Sequence, residues 1–255
     1  MFDSHAHYDD RQYDEDREEL LSRLFTKEGV TGILTIGCNS SSSHAAIKLA
    51  ETHSGVYAAV GFHPEFAEQV TDDTLAEIER LLGHPKVVAL GEIGLDYYYE
   101  DPPRDIQKTA FRAQLALAER TGMPVIVHDR EAHGDMLAIL QEFPSVRGVL
   151  HSYSGSAEMA KVLLSMGWYI SFSGVVTFKN ARQAVEVAEM VPSDRFLTET
   201  DAPYLTPVPY RGKRNDSGKM RYTVQRLAEI RQETFETIEK QAEANARRLF
   251  GIESE

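Results

Sequence analysis

Val87-Val88-Ala89-Leu90-Gly91-Glu92-Ile93-Gly94-Leu95-Asp96 is an apolar run that turns acidic toward its end. A stretch from Ile106 to Arg120 follows, with Phe111, Leu115 and Ala118 at helical spacing. Then comes Pro124-Val125-Ile126-Val127-His128-Asp129-Arg130, apolar until it meets His128. This reads as strand, helix, strand. Outward from it the alternation continues in both directions. Upstream lie MFDSHAH from Met1, GILTIGCN from Gly32 and VYAAVGFHP from Val56. Downstream lie RGVLHSYSG from Arg147, WYISFSGVV from Trp168 and FLTETDAP from Phe196. Gly29, Gly83, Gly122 and Gly167 stand where helices should end, and Ser40–Ser43 and Thr71-Asp72-Asp73 where they should start. Eight strands separated by helices specify an α/β protein with a (β/α)8 TIM barrel. A doubly wound open sheet would carry a glycine-rich turn after its first strand, and none is present.

At 255 residues the chain fits a single barrel domain spanning 1–255. A domain of this size buries enough surface to need no disulfide staple. The single cysteine, Cys38, suits a reducing compartment. The opening residues lack a basic run followed by an apolar segment. No stretch approaches the roughly 20 apolar residues of a membrane span. A cytoplasmic protein with no membrane association and no obligate protein partner is expected. The formal net charge of −13 argues against generalised, sequence-blind coating of nucleic acid, which usually needs a basic face. It leaves room for an enzyme that binds phosphate locally.

The unusual polar residues gather at C-terminal strand ends, the face where barrels carry active sites. They are His5 and His7 on the first strand, His63 on the third, Glu92 on the fourth, His128 and Arg130 on the fifth, His151 on the sixth and Asp201 on the eighth. Strand alternation turns His5 and His7 to one face. An HxH pair alone is a weak signal, and a lone His128 would read as a core histidine. Convergence from several strands makes the metal reading far stronger. Imidazoles and carboxylates in this number exceed one tetrahedral site, so two divalent cations are expected, with Glu92 bridging them. A cation lowers the pKa of a bound water toward ~7. Asp201 and Glu92 are the candidate catalytic residues, Asp201 orienting that water.

Asp96 and Glu199 read as supports that fix imidazole orientation. His63, Arg130, Arg211, Lys213 and Arg214 are candidates for holding substrate phosphate; guanidinium suits that task through its bidentate fork. The bland alternative for the last three is a solvated basic loop within the proline-containing segment Ala202–Met220. Tyr97, Tyr98 and Tyr99 read either as a shelf for unpaired bases or as packed loop aromatics. Cys38 reads as an inert small hydrophobe. His44, His53, His84 and His133 read as surface or loop residues.

FDSHAH, GFHP, GEIGLDYY, VIVHDREAHGD, HSYSGS, ETDAPYL and PYRGKRN together resemble the TatD family of metal-dependent deoxyribonucleases, within the amidohydrolase-like barrels. The resemblance implies a distorted (β/α)8 barrel and a hydrolase using zinc, manganese or magnesium. Its metal ligands would map onto His5, His7, Glu92, His128, His151 and Asp201. Its substrate would be DNA, trimmed from 3′ ends of single strands. Two strings depart from the family pattern: HSYSG stands where HCFSG is common, and Asp216-Ser217-Gly218 follows KRN where EP is common.

The expected activity is metal-dependent phosphodiester hydrolysis. An amide, lactone or nucleobase hydrolase of the same superfamily is the alternative. Many of those use a carboxylated lysine as the bridge, whereas Glu92 occupies the fourth strand here. A non-catalytic metal-binding scaffold is the third reading, disfavoured because structural metal sites tend to be closed.

Overall fold

The computed structural model describes residues 1–253. Eight parallel strands lie in chain order: β1 (Phe2–Ala6), β2 (Gly32–Ile36), β3 (Val56–Val60), β4 (Val87–Asp96), β5 (Val125–Arg130), β6 (Gly148–Leu150), β7 (Tyr169–Phe172) and β8 (Phe196–Thr198). Helices cover their outer face: α1 (Arg17–Lys27), α2 (Ser40–Thr52), α3 (Asp72–Leu82), α4 (Arg104–Thr121), α5 (His133–Glu142), α6 (Ala157–Ser165), α7 (Arg182–Met190), α8 (Met220–Arg231) and α9 (Phe235–Phe250). Asn39 and Thr71 cap α2 and α3 through their side chains, and Gly122 ends α4 in the left-handed conformation. His133 begins α5 instead of lying in a loop, with Nδ1 held 2.8 Å from Asp129.

Alternation sorts the strand residues into two cores. Ile33, Val60, Leu90, Val127, Leu150 and Ile170 face the helices. Phe2, Leu34, Ala59, Ala89, Ile126, Val149, Tyr169 and Leu197 form the second cluster, the barrel interior. Ala246, Phe250 and Ile252 join it from α9 and its end, so the last helix plugs one mouth of the barrel.

The barrel closes between β8 and β1 with little ladder. One bridge, Ala6 with Ala202, joins them, with His7 N–H donating to Ala202 O at 2.7 Å and Asp201 N–H to His5 O at 2.9 Å. Side chains complete the seam. Asp3 accepts from the Thr200 amide at 2.9 Å, the Thr200 hydroxyl at 2.6 Å and the Ser217 hydroxyl at 2.6 Å. Ser4 Oγ donates to Thr198 O at 3.0 Å. Among the described residues, no helix is long and apolar enough to cross a membrane.

Candidate metal centre

The interior stack of apolar side chains ends in a polar layer, and parity explains half of it. Two residues beyond Ile126 is His128; two beyond Val149 is His151; two beyond Leu197 is Glu199. β1 and β4 do not obey parity. Counting in twos from Phe2 gives Ser4, whose hydroxyl lies 3.4 Å from that of Ser171, and strict alternation would turn His5 outward. The β1–β2 register shifts between Asp3 and Ala6, and the β4–β5 register shifts between Leu90 and Ile93. These irregularities re-aim His5 and Glu92 into the mouth, a recurrent use of bulges beside active sites. His7 lies one residue past β1, not within it.

All six side chains expected to be metal ligands meet there. Glu92 sits at the centre and is buried. Its Oε1 lies 2.8 Å from His128 Nδ1 and 2.8 Å from His151 Nε2. Its Oε2 lies 3.4 Å from His5 Nε2 and 3.8 Å from His7 Nε2. Asp201 Oδ1 lies 3.6 Å from His5 Nε2 and 3.4 Å from His7 Nε2. Asp201 holds a positive φ of 57°, a strained conformation for a residue with a side chain.

Outer contacts fix the rings. Asp96 Oδ2 lies 3.1 Å from His128 Nε2, and Glu199 Oε1 lies 3.3 Å from His151 Nδ1. With those nitrogens protonated and donating, His128 Nδ1 and His151 Nε2 each turn a lone pair inward. They face one another at 3.1 Å beside a carboxylate oxygen. His5 Nε2 and His7 Nε2 stand 3.2 Å apart on the other side. Lone pairs packed this way fit divalent cations, as does the mixed imidazole and carboxylate donor set. Subsets His5–Glu92–His151, His5–His7–Asp201 and His63–Glu92–His128 each bring their ligand atoms within 4.8 Å of one another.

The electrostatics agree. Burial opposes ionisation of Glu92, yet His151, His5, His63 and the His128 contact hold its pKa well below the ordinary carboxylate value. Burial works against charging His151, but Glu92 and Glu199 carry its pKa well above normal. His128 is raised against its burial by Asp96 and Glu92. These opposed shifts show carboxylates and imidazoles packed closely enough to stabilise positive charge between them. Asp3, beneath it, is pushed up to about 7 by burial against the pull of its four donors.

A cleft of about 480 Å³ opens over this centre. His63, Arg130, Asp9, Asp10, Tyr99 and Tyr204 are among the residues lining it. His63 Nδ1 accepts the Glu65 amide at 3.2 Å, which puts the ring proton on Nε2, 3.9 Å from Glu92 Oε1 at the floor of the cleft. Burial and the neighbouring His128 take the His63 pKa down to about 3, so the ring is neutral. Arg130 stacks 3.8 Å over the Tyr98 ring. Cys38 is not the bystander its sequence context suggests: Sγ lies 3.8 Å from His7 Nδ1, and the residue lines the cleft. Sequence spacing gives no sign of that contact, because 31 residues separate the two.

Arg211, Lys213 and Arg214 do not line the cleft. Arg214 is bound bidentately by Asp16, with its Nη1 2.8 Å from Oδ1, and also donates to Gln12 O. Its fork is therefore not available to a substrate phosphate. Arg211 stacks 3.6 Å over Phe178, and Lys213 is exposed.

Comparison with known proteins follows the same lines. A family model described as TatD related DNase matches residues 2–251. The chain is 44% identical over 254 residues to the uncharacterized metal-dependent hydrolase YabD of Bacillus subtilis (strain 168), covering 99% of each chain. It is 37% identical over 262 residues to a Pantoea ananatis protein named 3′-5′ ssDNA/RNA exonuclease TatD, covering 99% of this chain and 100% of that one. The crystal structure of YjjV, a TatD homolog from Escherichia coli K12, superposes with a TM-score of 0.92 at 31% identity over 99% of this chain and 98% of that one. The barrel, the divided ligand cluster and these likenesses agree: the chain belongs to the TatD related DNase family of metal-dependent hydrolases.

Proposed function

We propose that the protein hydrolyses phosphodiester bonds at the ends of single-stranded DNA, using two divalent cations held at the mouth of the barrel. The observation that carries this reading is the division of the ligands by Glu92. His5, His7, Asp201 and Oε2 would hold one cation; His128, His151 and Oε1 would hold the other. Zinc, manganese or magnesium bound there would supply Lewis acidity and bring a water's pKa toward ~7.

The chain's own groups supply the rest. Glu92 keeps the two ligand halves in register and stays ionised. Asp201 uses the carboxylate oxygen not turned to His7 to orient the attacking water and accept its proton. His63 donates its Nε2 proton to a non-bridging phosphate oxygen. Arg130, already ordered on Tyr98, offers two parallel donors to the same phosphate. Asp96 and Glu199 keep the imidazole lone pairs pointing inward. The cleft volume is in the range that holds one small ligand, roughly 300–1,000 Å³. It therefore has room for a terminal nucleotide. The name of the Pantoea ananatis relative supports the same substrate.

The test is end-labelled single-stranded DNA incubated with purified protein, with and without chelator, beside a panel of amides and lactones. Metal-dependent release of nucleotides that disappears in Glu92→Ala is expected. Turnover of the amide or lactone panel in place of DNA would instead assign the alternative chemistry.

A further inference from the structure

The charges around the mouth are unevenly distributed. Asp9 and Asp10 follow β1, Glu65 and Glu68 follow β3, and Glu100 and Asp101 follow β4. The stretch of rim after β7 and β8, across from the β3 and β4 loops and beside the β1 loop, carries Lys179, Arg211 and Lys213, all exposed. None of these three has a carboxylate within 4.0 Å among the described residues, whereas nearby Arg214 and Lys219 are paired with Asp16 and Asp216.

The two loops that carry them are packed into one surface. Val208 N–H donates to Thr177 Oγ1 at 2.9 Å, and Arg211 lies on Phe178, the neighbour of Lys179. Turns hold the β8 loop, with Tyr210 N–H donating to Pro207 O at 2.8 Å and Lys213 N–H to Tyr210 O at 3.1 Å. Exposed aromatics are interleaved with the cations. Tyr204 is 50% exposed, lines the cleft and stands 6.2 Å from the His7 ring. Tyr210 is 41% exposed, farther along the same loop. Cations spaced among open aromatic rings are the chemistry that holds single-stranded nucleic acid without regard to sequence.

We propose that the loops after β7 and β8 form a platform for the single strand trailing from the cleft. Lys179, Arg211 and Lys213 meet its phosphates, and Tyr204 and Tyr210 meet its bases. This rests on the phosphodiesterase reading above for what enters the cleft. The acidic loops after β3 and β4 repel the strand from the far side of the mouth, while Asp10, after β1, holds the Tyr204 hydroxyl at 2.8 Å. Arg211 and Lys213 thereby act on phosphates beyond the one being cleaved.

The experiment compares the metal-loaded protein with a Lys179→Glu/Arg211→Glu/Lys213→Glu variant, after thermal melts establish that both fold alike. Fluorescence anisotropy reads binding of a labelled oligothymidylate of about twelve nucleotides, and a dinucleotide reports the cleft alone. The variant is expected to bind the oligonucleotide about tenfold or more weakly with a shallower salt dependence, and to keep the native KM for the dinucleotide. Equal oligonucleotide affinity in the two proteins overturns the platform. An equal rise in KM on the dinucleotide also overturns it, by placing the cations at the scissile phosphate. Platform-dependent binding with no cleavage of any phosphodiester leaves the platform standing and defeats the reaction assigned above.

Discussion

Glu92 has one oxygen on each half of the ligand cluster, so no other side chain can lose its charge at greater cost to the site. Glu92→Gln keeps the volume and removes one acceptor. Metal content per chain, read by elemental analysis, is expected to fall, and hydrolysis to drop at least about 100-fold. Gly94 tests positioning. Its φ is 148°, and a Cβ there would come 2.0 Å from the His128 carbonyl oxygen. Gly94→Ala must therefore push β5 and its imidazole outward. Metal affinity measured by competition with a chromogenic chelator should weaken about 10–100-fold, while Gly134→Ala, with nothing within 4 Å, leaves it unchanged. At this scale the sequence is readable wherever an apolar strand breaks into His or Asp, as at His128 and His151. It is silent on Arg214, because the partner that takes its charge, Asp16, is 198 residues away.

Among the elements, the β8–β1 seam is the weakest ladder and leans on Asp3, which is fully buried. Asp3→Ala leaves the Thr200 amide and hydroxyl and the Ser217 hydroxyl without their acceptor. Urea unfolding is expected to show a loss of about 2–4 kcal/mol. Phe250, 4% exposed in the interior cluster, fastens α9 across the barrel mouth. Phe250→Ala should cost about 3–5 kcal/mol by the same measurement. The strands, their order and most helix starts were legible from alternating patterns and capping residues. The register shifts in β1 and β4 were not. A bulge is decided by how a strand meets its neighbours, and no local pattern in FDSHAH or GEIGLD records it.

For the whole molecule, the cluster stores like-charged lone pairs that bound cations would relieve. Removing metal with chelator should lower the melting temperature, and metal at about 100 times Kd should restore about 2.7 kcal/mol of stability. A melt that ignores chelator would argue that nothing binds between Glu92 and its imidazoles. The seam also sets when the enzyme comes to exist. His5 and His7 leave the ribosome first, and Asp201 follows only after seven other strands have been made. Until then the two halves of the ligand set have no shared wall. Synthesis itself therefore works as a safety catch: a growing chain can fold much of its barrel while its metal centre still lacks Asp201.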